Sequence, residues 1–136
     1  LHSQHDFGSV SKASKIADRE PLTMNSADAA ARGLAAGDVV RVFNERGAFL
    51  AGLMVSDDIR PGVVQIATGA WYDPQWLDGF GVTCVHGNPN VLTRDRGTSS
   101  LAQGCSGHLT LVQAVRFNGE LPAITVHRPP TIVPRA

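Results

Sequence analysis

Cysteine is scarce in this chain of 136 residues: there are 2, Cys84 and Cys105, too few for a disulfide framework to replace a core. Cys84-Val85-His86 and Cys105-Ser106-Gly107-His108 can be read as a metal set, but Cys-x-His is tighter than the ligand spacing usual for zinc, and two ordinary thiols are the stronger reading. Charge of one sign is missing as well. With 12 basic and 12 acidic residues the formal charge is zero, which removes the electrostatic case for nucleic acid or an anionic membrane surface. Aromatic residues make up 6%, a poor supply for a base-stacking platform. No apolar run approaches the roughly 20 residues that a membrane-spanning helix needs, and no charged-then-apolar leader precedes the first polar residues. What remains is the profile of one soluble domain with its own core, 43% hydrophobic.

The elements follow from local pattern. Residues 9–18 lack a strand or helix period and read as an exposed loop. A short strand is expected over 19–24. Asn25 can then cap a helix that Asp28 favours electrostatically, that Ala29-Ala30-Ala31-Arg32 continue and that Gly33 stops. Val39-Val40-Arg41-Val42-Phe43 is a β-branched strand, and Asn44-Glu45-Arg46-Gly47 reverses the chain into an antiparallel partner over 48–55. That partner is apolar on both faces, so a loop or another domain must cover its outer side. Val63 to Thr68 is the next strand. Trp71, Tyr72 and Trp76 fall in a loop, where they anchor to the core or face a partner. Leu109 to Phe117 is the last strand, and the tail over 120–136, with Pro122, Pro129, Pro130 and Pro134, is expected to run extended over the surface. Five or six strands with one or two short helices make a mainly β domain, and strands apolar on both faces point to a barrel.

The stretch from Gly87 to His108 is unlike the rest. It interleaves glycines, the amides Asn88, Asn90 and Gln103, and hydroxyls, so its polar groups need partners other than a regular ladder. Pro89 presents Asn90 from a constrained turn, where its carboxamide suits the amide edge of a heterocycle. Thr98 or Ser99 can cap a short helix over 100–103 with Gly104 as its stop, and Gly107 permits close approach of a ligand to the backbone. Asn90 and Gly107-His108 would then be two walls of one site; the alternative is a long surface loop rich in turn formers.

Leu1-His2-Ser3-Gln4 taken with Gly87-Asn88-Pro89-Asn90-Val91-Leu92-Thr93 and Leu101-Ala102-Gln103-Gly104-Cys105-Ser106-Gly107 resembles the C-terminal domain of molybdopterin-dependent oxidoreductases of the dimethyl sulfoxide reductase type. The similarity extends through Gly37-Asp38-Val39-Val40-Arg41-Val42-Phe43-Asn44 and Gly69-Ala70-Trp71-Tyr72-Asp73-Pro74. Gly-Asn-Pro-Asn and the proline-containing tail are most similar to biotin sulfoxide reductases, followed by trimethylamine N-oxide and dimethyl sulfoxide reductases. The resemblance implies a closed six-stranded double-psi β-barrel over residues 1–136, binding molybdopterin guanine dinucleotide, with two copies and molybdenum in the intact enzyme. It implies His2, Ser3 and Gln4 as contacts near the pterin and phosphate portions, Asn90 as a pterin-recognising amide, and Gly107 and His108 as further contacts. His108 stands where the family often has Gln. The metal ligand and most of the substrate funnel would belong to other domains of a parent reductase of the bacterial cytoplasm or periplasm, so the domain alone is expected to be inactive. The competing reading is a free-standing β-barrel interaction module that meets a protein partner through Trp71, Tyr72 and Trp76.

Overall fold

The computed structural model describes residues 3–104 and 106–134, so His2 and Cys105, with the side chains of Ser3 and His108, lie outside the described residues. At the centre are β2 (Val39–Phe43) and β3 (Ala48–Val55). They pair antiparallel from Val39↔Gly52 to Phe43↔Ala48, as the reversal at Asn44–Gly47 predicts. Before them, β1 (Pro21–Met24) runs parallel to the second half of β3. Between β1 and β2 lies a helix, Ser26–Ala31, whose first turn is capped by the Asn25 side chain accepting from Ala27 N–H at 2.9 Å. Gly33 ends it at φ +64°, a conformation that costs glycine little.

The remaining strands build outward. β4 (Val64–Ile66) pairs antiparallel with β1. A hairpin of β5 (Pro74–Leu77) and β6 (Gly81–Cys84) attaches to β3 at Phe49↔Cys84, and β7 (Gln113–Arg116) pairs with β2. The result is one mixed sheet of 7 strands with the path β4-β1-β3-β2-β7. This corrects the expected closed barrel of six strands. Among the described residues no pairing joins β4 to β7, because these end strands are only 3 and 4 residues long. Side chains of β4 and the segment after Leu92 line a cavity instead.

The doubly apolar β3 is buried at every position before Met54. Phe49, Ala51 and Leu53 pack with Leu22, Val40, Val42 and Leu92, while Leu50 packs with Val39, Val85 and Phe117 on the other face. Ile16 presses on Gly52 so closely that a Cβ there would collide with it. The chain's own segments therefore cover the outer face, and no further domain is required for it.

Four local expectations also change. Ser9–Ser14, expected as loop, forms a short helix with Ser11 buried. The stretch containing Trp76 becomes β5, since Pro74 at the first strand position removes no interior hydrogen bond. The helix expected over 100–103 is absent: Ser99 Oγ accepts from Ala102 N–H at 2.9 Å and Leu101 N–H at 3.3 Å, a local turn that Gln103 and Gly104 do not continue into a helix. The last strand shortens to Gln113–Arg116, preceded by a 3-10 turn at Gly107–Leu109.

Candidate functional site

A cavity of about 790 Å³ opens over the sheet where a closed barrel would be filled. Its floor is apolar: Leu22, Val42, Phe49 and Leu92 come from β1, β2, β3 and the 3-10 turn Pro89–Leu92. Its walls are polar and include Asn90, Gln103, Ser106 and Gly107. An apolar base with a few convergent amides and hydroxyls is the ordinary make-up of a small-molecule site.

The 3-10 turn fixes Asn90. Asn88 Oδ1 accepts from Asn90 N–H at 2.9 Å, and the Asn90 carbonyl accepts from the Thr93 hydroxyl at 3.1 Å. The turn rests on the β2–β3 hairpin so tightly that a Cβ at Gly47 would come within 2.8 Å of the Val91 carbonyl. Asn90 itself is exposed, and no described residue pairs with its carboxamide. Across the cavity, Gly97 leaves room for the Gln103 carboxamide, which a side chain at 97 would strike. Asn44 ties both ends of the intervening loop to the hairpin: its Nδ2 donates to Leu92 C=O at 3.0 Å and to Leu111 C=O at 3.2 Å. Arg46 Nε adds a bond to Leu92 C=O at 2.7 Å.

The structure thus brings Asn90 and Gly107 to one cavity. Gln4 is exposed on the 3-10 turn Ser3–His5 and is not among the described residues lining it. Gln103, Arg94 and Arg96 line the cavity without having been singled out as contacts; their place between Asn90 and Gly107 in one polar stretch was the available signal.

A second polar cluster anchors the N-terminal segment. Asp6 is fully buried: its Oδ1 accepts from Lys15 Nζ at 2.8 Å and its Oδ2 from Trp71 N–H at 3.1 Å. Lys15 also pairs with Glu20. His86 Nδ1 donates to the Trp71 carbonyl at 3.1 Å and lies 3.5 Å from Asp6, with His127 Nε2 at 3.9 Å. Burial works to raise the Asp6 pKa, but the bonds from Lys15 and Trp71 outweigh it and hold the carboxyl below its ordinary 3.8. Burial, reinforced by the Lys15 charge, depresses His86; burial and His86 depress His127.

Asp6, His86 and His127 are close enough together to suggest metal ligands. Asp6 already accepts from Lys15 and from Trp71 N–H, and the Lys15 ammonium already balances its charge, which favours a structural network over a cation site. Cys84 sits in the apolar core beside Phe49, and His86 belongs to the Asp6 network, which does not support the Cys/His metal set. Of the aromatic loop, Trp71 is anchored by stacking on Phe7 at 6.4 Å, while Tyr72 and Trp76 are exposed.

This fold and cavity define a ligand-binding β domain, and comparison with known proteins gives the family. The chain belongs to the Molydopterin dinucleotide binding domain family, whose model matches residues 1–111. It is similar to Trimethylamine-N-oxide reductase 1 of Escherichia coli K12, 50% identical over 126 residues, which is 92% of this chain and 15% of that protein. It is also similar to the Dimethyl sulfoxide/trimethylamine N-oxide reductase of Cereibacter sphaeroides, 45% identical over 96% of this chain and 16% of that protein. Among solved structures, acetylene hydratase from Pelobacter acetylenicus shares the fold, with a TM-score of 0.64 and 17% identity over 86% of this chain and 16% of that one. The chain spans about 15% of the length of the curated relatives it matches.

Proposed function

We propose that this chain binds molybdopterin guanine dinucleotide as the C-terminal domain of a molybdenum oxidoreductase that reduces N-oxides or S-oxides of the trimethylamine N-oxide type. The observation that carries the reading is the pairing of Asn90 and Gly107 on one cavity with an apolar floor. The donor set fits the group. The Asn90 and Gln103 carboxamides offer donors and acceptors in a plane, as the edge of a pterin requires, and Leu22, Val42 and Phe49 offer a dry surface to a ring face.

When bound, the metal-bearing cofactor supplies two-electron redox chemistry. The chain's own residues bind and orient: Asn90 by its exposed carboxamide, Gly107 by backbone approach, and Asn44 by holding the loop that carries the far wall. His2, Ser3, Gln4 and His108 are proposed as further contacts, and two copies of the cofactor as the complement of the parent. The remaining domains of that parent are the partners. Trp76 and Val82, a cross-strand pair on β5 and β6 that is 73% and 57% exposed, offer them an apolar face.

The test is titration of the isotopically labelled chain with the pterin fragment 6-hydroxymethylpterin. The Asn90 and Gly107 amides should shift, and Asn90→Ala should weaken binding about tenfold without lowering stability, because this side chain is exposed. Unmoved signals at both positions would overturn the cofactor reading.

A further inference from the structure

We propose that Arg94 and Arg96 hold the diphosphate of the dinucleotide in a second cavity that continues the first. The inference rests on the cofactor reading above and adds to it a subsite and two residues.

A cavity of about 540 Å³ adjoins the first and shares Arg94, Arg96, Gly97, Ser106 and Thr110 with it. The backbone from Arg94 to Gly97 forms no regular element. Arg94 and Arg96 line both cavities, whereas Asp95 between them lines only the first. No carboxylate is among the described residues of the second cavity. The acid near Arg94 is Glu45, which pairs with Arg46, and no ion pair among the described residues involves Arg94 or Arg96.

The other polar groups of this cavity are largely committed. The Thr98 and Ser99 hydroxyls donate to the Ala102 carbonyl, the Ser106 hydroxyl to Arg96 C=O and the Thr110 hydroxyl to Gly107 C=O. Arg94 and Arg96 are the only cationic residues in the described lining of this cavity. A guanidinium fork matches phosphate oxygens in a bidentate way, and exposed arginines lose little hydration while unoccupied. A ligand with an amide-edged ring in the first cavity would direct its anionic linker into the second.

The experiment follows the Nε–H signals of Arg94 and Arg96 in the 136-residue chain, whose core is built from its own residues, during titration with inorganic pyrophosphate, guanosine diphosphate and sulfate. Pyrophosphate and the nucleotide should shift both signals more strongly than sulfate does. Arg94→Gln with Arg96→Gln should weaken the nucleotide about tenfold or more and weaken 6-hydroxymethylpterin, which carries no diphosphate, markedly less. Equal nucleotide binding by the double variant, silent Nε–H signals, or sulfate matching pyrophosphate would each overturn the proposal. If the double variant does not fold, the wild-type signals decide. Pterin binding with silent arginines removes this subsite alone; failure of pterin as well removes the cofactor reading on which it rests.

Discussion

Replacing Asn44 with alanine separates the cavity wall from the sheet that supports it. The side chain makes hydrogen bonds to Leu92 C=O at 3.0 Å, Leu111 C=O at 3.2 Å and Arg46 N–H at 2.9 Å. Leu92 C=O retains the Arg46 Nε bond at 2.7 Å, so the substitution leaves the Leu111 carbonyl and the Arg46 amide without their partner. At about 1 kcal/mol net for each neutral hydrogen bond, with both groups partly able to reach water, the loss is about 1–2 kcal/mol. Because the two carbonyls bracket the loop, that loss should appear as easier opening of residues 93–110, by a factor of roughly 5 to 30. Hydrogen exchange measured amide by amide reads this directly: the loop amides speed up, while β1 and β3 change only as far as global stability falls. Loop exchange unchanged from wild type, with a uniform loss across the sheet, would show that Asn44 serves the hairpin alone.

Gly97→Ala should displace the Gln103 carboxamide, which occupies the space a Cβ would need. The Gln103 side-chain amide signal should move and pterin affinity fall several-fold, with stability changed by less than about 1 kcal/mol, because a flexible side-chain end can yield; an unmoved Gln103 signal would count against this packing. Stability should also fall on the acid side. His86 and His127 are held below their ordinary 6.5, so below that pH the unfolded chain takes up protons that the folded chain does not. Asp6 and Asp73, held below 3.8 despite burial by bonds to Lys15 and Trp71 and to Thr125 and Val126, extend the loss at lower pH. The urea midpoint should be steady above about pH 7 and decline from about pH 6.5 downward; a midpoint that rises between about pH 6.5 and 5 would contradict the burial assigned to the two histidines.

The parts of the fold that the sequence made legible are those whose pattern is local. Val39–Phe43, Ala48–Val55 and the capped helix after Asn25 carry their own period, cap and turn residues, and they form as expected. The β5–β6 hairpin was hidden because Pro74 and two tryptophans resemble a loop, although Asp78-Gly79 marks its turn. Closure is a property of strand ends meeting, and nothing in Val63–Thr68 announces that only 3 of its residues will pair. Of the cavity, the meeting of Asn90 and Gly107 was legible because Pro89 and glycine fix backbone geometry locally. The work of Asn44 was not, since the carbonyls it binds lie 48 and 67 residues away. The Asp6, Lys15, Glu20, His86 and His127 network was equally hidden, being assembled from segments that carry no common motif.

The unclosed sheet and the cavity have one physical origin. A small closed barrel fills its interior with its own side chains, whereas here the short β4 and β7 leave Leu22, Val42 and Phe49 as a floor with space above it. The walls differ in what supports them. Asn90 stands on a turn packed directly against the β2–β3 hairpin, close to the most buried part of the core. Residues 97–104 on the far wall are held by hydroxyl-to-backbone bonds such as Thr98 to Ala102 and Gly104 to Thr98, and by the two bonds from Asn44 at the loop's ends. A ligand that bridges both walls would therefore find one contact preorganised and bring order to the other. Recognition would be weighted toward the Asn90 side, with the Gln103 side setting how long the ligand stays.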